Sequence, residues 1–155
     1  MTSLTTAVSL QGGDNQESLN AVCVIAMVDR LWQLSGKEPA WLEEFWESLK
    51  RCNDWNLNLR PDYGLSQVLS MPAGDAGTEW FEAPEPGWKG YATHAGGIRM
   101  SQVAIMRRMA AAMKDAPYVA KCDAWLSAGA EALEEHLWNE KAGSYFKCAP
   151  LLPPR

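Results

Sequence analysis

The chain has 155 residues, a hydrophobic fraction of 47%, a charged fraction of 21% and a formal net charge of -5 at pH 7. These values indicate one globular domain with a hydrophobic core. Nucleic-acid binding needs a cationic surface, so an acidic chain without a basic stripe argues against a nucleic-acid partner. The longest apolar run, residues 21–28, is too short to cross a bilayer, which argues against a membrane span.

Residues 1–17 are polar and show no hydrophobic periodicity, which predicts a loose N-terminal arm. They lack the basic and apolar regions of a secretion signal, which favours a cytoplasmic location. The cysteines stand far apart, without the ligand spacing of a zinc site, and no glycine-rich phosphate loop follows a strand pattern. We therefore expect free thiols, no metal and no cofactor, and we expect three thiols to be buried on helices: Cys23, Cys52 and Cys122.

Two helices are predicted in the first third of the chain. The first begins at Ser18 or Asn20 and stops before Gly36. Because its middle is apolar on every side, we expect neighbouring elements to bury it all round. The second begins at residues 37–39 and carries apolar side chains at spacings of three and four up to Trp55. A short turn between them predicts an antiparallel helical hairpin.

Two further helices are predicted in the last third. A methionine-rich pattern predicts a helix over residues 98–114, and the sequence Asp-Ala-Pro at 115–117 separates it from a second helix over 118–138. This gives a second hairpin and an all-α fold. The proline-rich residues 147–155 form a tail, so the helical domain is expected to span 18–146.

The candidate site lies in the region between the two hairpins. Residues 56–76 are irregular, and residues 77–97 are rich in Gly and Pro and are expected to form a loop. The loop interleaves carboxylates with aromatic rings, which raise the pKa of a neighbouring carboxyl group and suit it to general-acid catalysis. Aromatic faces also suit the CH faces of sugars, so this composition indicates carbohydrate chemistry. The alternative is that the glutamates are only solvated and that the tryptophans pack into the core.

Three motifs resemble the catalytic domain of glycoside hydrolase family 116, the non-lysosomal glucosylceramidase and β-glucosidase family. Residues 88–97, WKGYATHAGG, are similar to the family's Gly-Gly stretch that opens a helix. Residues 134–139, EEHLWN, followed by Tyr145 and Phe146, resemble its Leu-Trp-Asn-Gly-x-Tyr-Tyr ending, and 61–65, PDYGL, resemble an Asp/Gly-rich turn before the acid loop. The resemblance covers residues 20–146 and implies part of an (α/α)6 toroid of six helical hairpins.

The resemblance also implies a chemistry, since members of the family are retaining β-glucosidases that use two carboxylates. The family's acid is an Asp in Thr-Tyr-Asp-Thr-Trp; here residues 78–82 read TEWFE, so Glu82 or Glu79 is the expected acid, with Glu85 as the third candidate. The family's nucleophile lies upstream of the matched part. We therefore expect a partial catalytic domain, inactive alone, whose substrate is a β-glucoside or glycolipid. The expected substrate contacts are Trp80, Glu85, Trp88, His94 and Arg99.

A second reading is a non-catalytic helical-hairpin module for binding or oligomerisation. Half a toroid leaves apolar helix faces uncovered, and such faces promote association, so a homo-oligomer is expected. Three side chains remain open at this point. His94 either contacts a ligand or does not. Arg99 either braces a carboxylate or faces water. The simplest expectation for His136 is a polar residue on the solvent-exposed face of the fourth helix.

Overall fold

The structure is a computed structural model that describes residues 18–57, 64–66, 68, 70–72, 89–146 and 148–150. Over these residues the chain is mostly helical, as the sequence predicts. A single π-helical turn, Leu133–Leu137, directly follows the last α-helix. The α-helices are α1 Ser18–Leu34, α2 Pro39–Glu43, α3 Trp46–Leu57, α4 Thr93–Ala112 and α5 Ala116–Ala132.

Short antiparallel strands accompany the helices, which the sequence did not predict. β2 (Lys89–Ala92) lies between β1 (Ser70–Pro72) and β5 (Cys148–Pro150) in a three-stranded sheet. A separate hairpin pairs β3 (Trp138–Asn139) with β4 (Ser144–Tyr145). The all-α prediction therefore holds only in its coarse form. Strands of two to four residues are too short to show an alternating hydrophobic pattern.

Helix α1 has the predicted bounds but not the predicted burial. It ends through left-handed Gly36, where φ is 86°, and the N–H of Lys37 donates to the carbonyl of Trp32 at 3.0 Å. Ile25, Val28 and Trp32 are buried, whereas the opposite face is open to solvent. The prediction of burial all round is wrong because α1 packs against α3 and α4 on one side only.

The second predicted helix is divided in two. Helix α2 ends at Glu43, a turn follows, and α3 begins at Trp46. Across the turn the N–H of Phe45 donates to the carbonyl of Leu42 at 2.9 Å. Leu42 and Trp46 are both buried, so the apolar stripe predicted from the sequence does face the core on both sides of the break.

Helix α4 begins five residues before the predicted start, so part of the predicted loop 77–97 is helical. The chain leaves β2 at Ala92 in an extended conformation and enters the helix at Thr93. Gly96 and Gly97 therefore lie inside α4, although each glycine costs a helix about 1 kcal/mol relative to alanine. Ala95, Gly96 and Arg99 are buried in the first turns of this helix.

A buried polar network joins α3, α4 and α5. The Asn53 amide donates to the Tyr118 hydroxyl at 2.9 Å, and the Gln102 amide donates to Asn53 at 2.7 Å. The Tyr118 hydroxyl donates in turn to Asp54 at 2.8 Å. Because every step crosses between helices, the network fixes how the three helices pack. Burial raises the pKa of Tyr118, which keeps its hydroxyl protonated as the donor.

Candidate functional site

The predicted acid loop lies mostly outside the described residues. This applies to the expected acids and to three of the expected substrate contacts, namely Glu79, Trp80, Glu82, Glu85 and Trp88. The two positions that flank this part of the chain are described. Pro72 and Lys89 face each other in the β1 and β2 pairing, so the chain leaves and re-enters the described fold at one place.

Starting from Tyr91, two residues after Lys89, two aromatic contacts and one hydrogen bond link a set of side chains that we name the loop-base cluster: Tyr91, His94, His136, Trp138 and Tyr145. Tyr91 on β2 is buried, and its ring stacks on the His136 imidazole with centroids 4.8 Å apart and an interplanar angle of 7°. The hydroxyl oxygens of Tyr91 and Ser66 are 3.1 Å apart, within hydrogen-bond distance. The centre of the cluster is therefore held by β2, by the π-helix and by the segment before β1.

His136 reaches Tyr91 because helix α5 does not continue to Trp138 as predicted. The α-helix ends at Ala132, the π-helical turn follows, and Trp138 is already extended with φ -70° and ψ 133°. This turn buries Leu137 completely and turns His136 onto the Tyr91 ring. Only 21% of the His136 side chain is exposed, so this residue is not a simple polar-face residue. Single π-helical turns occur often at functional sites.

The β3 and β4 hairpin presents two aromatic rings to solvent. Trp138 and Tyr145 are opposite each other, with ring centroids 5.0 Å apart, and their exposed fractions are 36% and 39%. Each ring has its polar edge bonded to a carboxylate: the Trp138 indole donates to Glu140 at 2.7 Å, and the Tyr145 hydroxyl donates to Glu134. The bond to Glu134 raises the pKa of Tyr145, so its hydroxyl stays the donor.

His94 is part of the first turn of α4 and is exposed. The neighbouring Thr93 hydroxyl donates to the Phe146 carbonyl at 2.5 Å, which ties the start of α4 to the end of the hairpin. His94 is therefore open to a ligand, as one of the two alternatives requires. Arg99 lies one turn further on and is only 2% exposed, so the alternative in which it faces water is wrong.

The thiols differ in their environments. Cys52 and Cys122 are buried, as predicted, and burial raises their pKa to about 11 and about 12. The prediction for Cys23 is wrong, because this thiol lies on the outer face of α1 and is exposed.

Within the described residues no three His, Cys, Asp or Glu side chains are grouped so that they could hold a metal ion. None of the described helices combines the length and apolar character needed to span a membrane.

The sequence indicated His94 but missed most of the cluster. A π-helical turn brings His136 to Tyr91, and two strands of two residues bring Trp138 to Tyr145. Neither feature leaves a strong local pattern of hydrophobic residues in the sequence. The signal that was available is the motif EEHLWN followed by Tyr145, which contains three of the five side chains of the cluster. Chemically, the exposed rings can stack on an apolar face, and the carboxylates can accept hydrogen bonds from hydroxyl groups.

Comparison with known proteins adds no relative: no family model, no curated protein and no solved structure matches this chain. What the protein does is therefore inferred from its own side chains.

Proposed function

We propose that this protein is a sugar-binding part of a β-glucosidase-like helical domain, with an acid loop but without the nucleophile. The observation that carries the proposal is the exposed pair Trp138 and Tyr145, whose rings lie against each other and whose polar edges are each bonded to a carboxylate. The β-glucoside or glycolipid substrate is the class implied by the resemblance to family 116.

The chemistry of the pair suits a pyranose ring. One face of a β-glucoside carries axial C–H groups that pack on an aromatic ring, and its equatorial hydroxyls point outward towards acceptors. Covering about 80 Å² of apolar surface contributes about 2 kcal/mol, and two hydrogen bonds contribute about 1 kcal/mol each. This total of about 4 kcal/mol is gross, and the loss of translational and rotational freedom on association subtracts from it. A dissociation constant on the order of 1 mM is therefore the tightest expected.

Two contacts support the helical-hairpin part of the proposal. The Arg107 guanidinium pairs with Asp123, and a side chain at Gly129 would meet the Met100 sulfur at 3.4 Å. Residues later in α4 thus contact residues earlier in α5, the relation that an antiparallel hairpin requires. A hairpin of this type is the repeating unit of the proposed toroid.

Sugar binding is tested by saturation-transfer NMR with methyl β-D-glucopyranoside at about 10 mM and above, because the dissociation constant is expected to be about 1 mM or weaker. We expect transfer to the ring protons in the wild type and a several-fold loss in Trp138→Ala and in Tyr145→Ala. Leu31→Ala is the matched control, because Leu31 is an exposed apolar residue on α1. Unchanged transfer in both cluster variants would refute the proposed site.

The catalytic part of the proposal predicts inactivity of this chain by itself. Retaining hydrolysis needs two carboxyl groups about 5 Å apart, and the resemblance places the second one upstream of the matched residues. We expect aryl β-glucosides to be hydrolysed no faster by the wild type than by the double variant Glu79→Ala, Glu82→Ala. A clear rate difference between these two proteins would show that the chain carries its own nucleophile.

A further inference from the structure

An open cavity of about 400 Å³ lies where α4 ends and α5 begins. It is at the far end of these two helices from the loop-base cluster, which contains the start of α4 and residues that follow α5. Its volume is within the range of small-molecule pockets in proteins. Six residues line the cavity: Ala111, Lys114, Ala116, Val119, Ala120 and Asp123.

The floor of the cavity is apolar. Ala116, Val119 and Ala120 have the spacings of three and four residues that place side chains on one face of a helix, here the first two turns of α5. Ala111 adds a methyl group from the last turn of α4. Alanine and valine side chains carry no hydrogen-bonding group, so this floor suits the hydrocarbon part of a ligand.

The two charged residues of the lining differ in what they already contact. Both carboxylate oxygens of Asp123 accept hydrogen bonds from the Arg107 guanidinium. The acid next to the cavity in sequence, Asp115, accepts a hydrogen bond from Lys50 at 3.1 Å. Within the described part of the chain, no carboxylate lies within ion-pair distance of the Lys114 ammonium. The charge that the cavity lining offers to a ligand is therefore positive.

The backbone of Lys114 is a second indication that this side chain has a role. Its φ is 57°, and its N–H donates to the carbonyl of Ala111 at 3.2 Å. Glycine adopts this left-handed conformation at lower cost and is the preferred residue after a helix. Residues other than glycine in such conformations are frequent at ligand-binding sites. A lysine here costs stability but supplies a cation to the lining of the cavity.

We propose that this cavity binds a small amphipathic anion, with its carboxylate on Lys114 and an unbranched hydrocarbon chain on the apolar floor. The floor from Ala116 to Ala120 is about 6 Å long at the helical rise of 1.5 Å per residue, so a chain of about six to eight carbons covers it. An inorganic anion would leave the floor uncovered, and an organic cation would be repelled by Lys114.

The test is a ¹H–¹⁵N NMR titration of the whole chain with octanoate up to about 20 mM, because a small ligand in an open cavity binds weakly. We expect the amide signals of Val119 and Ala120 to move. Butanoate should bind at least about tenfold more weakly, since each methylene that leaves water tightens binding about twofold to fourfold. Octylamine has the same chain and the opposite charge, and it should also bind at least about tenfold more weakly.

Substitutions of Lys114 test the role of its charge. Lys114→Gly removes the cation and relieves the backbone, so this variant should fold at least as stably as the wild type while octanoate binding weakens by about tenfold. Lys114→Arg keeps the charge and should bind octanoate within about threefold of the wild type. Lys37→Gly is the matched control, because Lys37 also has a left-handed backbone, with φ 63°, but does not line the cavity. This control should bind as the wild type does.

Equal binding of octanoate by Lys114→Gly and the wild type would overturn the proposal, as would binding of octylamine at least as tight as that of octanoate. Signals of Val119 and Ala120 that stay fixed, or that butanoate moves as readily as octanoate, would do the same. An equal loss of binding in Lys37→Gly and in Lys114→Gly would show a general effect of net charge and would also refute the site.

Discussion

Lys114 shows how a single backbone angle limits the stability of this protein. It follows α4 with φ 57°, a left-handed conformation that side chains other than glycine adopt at a cost. Lys114→Gly should raise the free energy of unfolding by about 1 kcal/mol, because glycine is the preferred residue after a helix end. Chemical denaturation measures this, with Lys114→Ala as a control that keeps the Cβ and should bring no comparable gain. Equal stability of Lys114→Gly and the wild type would contradict the prediction.

The thiols provide a second test at the scale of the residue. Because burial raises the pKa of Cys52 to about 11, its thiolate fraction near pH 8 is on the order of 0.1%, and that of Cys122 is lower still. Exposed Cys23 should therefore react with iodoacetamide at least tenfold faster than either buried thiol. Peptide mass spectrometry of timed samples resolves the three sites. Similar rates at Cys23 and Cys52 would show that the helices open readily or pack differently.

At the scale of the element, the contact of α5 with the segment before β1 depends on the absence of a side chain at Gly129. A Cβ there would lie 2.6 Å from a methyl carbon of the fully buried Val68. Gly129→Ala gains helix propensity but forces this contact apart, so we expect a net loss of about 1–2 kcal/mol. Val68→Ala should partly relieve the clash, and a double-mutant cycle should therefore show favourable coupling between the two alanines. Strictly additive losses would contradict this packing.

Asp115 links the start of α5 to Trp46 and Lys50 of α3, and its carboxyl group should make the stability of the protein depend on pH. Burial by itself would raise the pKa of Asp115, but hydrogen bonds from Lys50, from the Trp46 indole and from the Tyr118 N–H outweigh burial and lower it. A depressed pKa in the folded state stabilises the protein above the ordinary pKa of about 4, and this contribution is lost as the pH falls further.

Asp115→Asn should lower the free energy of unfolding near neutral pH by about 1–2 kcal/mol. The variant should also lose less of this free energy than the wild type does when the pH is lowered into the acid range. Denaturation at several pH values measures both effects; an unchanged acid profile would contradict the role.

At the scale of the whole molecule, local patterns predicted the helices better than their surroundings. The bounds of α1 followed from Ser18 and Gly36, which act within one turn of the helix. The exposure of its outer face was missed because an apolar sequence does not reveal how many neighbours will cover it. The small sheet was missed because it pairs residues distant in sequence, such as Tyr91 with Ala149. Of the cluster, His94 was predicted, whereas the contacts of Tyr91 and His136 depend on the tertiary fold.

The most direct test of the proposed function follows the eight tryptophan indole N–H signals in a ¹H–¹⁵N NMR titration with methyl β-D-glucopyranoside. The Trp138 signal is assigned by its absence in Trp138→Ala. We expect this signal to move with an apparent dissociation constant of about 1 mM or weaker, because its N–H lies at the edge of the ring on which the sugar would pack. If it stays fixed up to saturating sugar, the loop-base cluster does not bind β-glucosides.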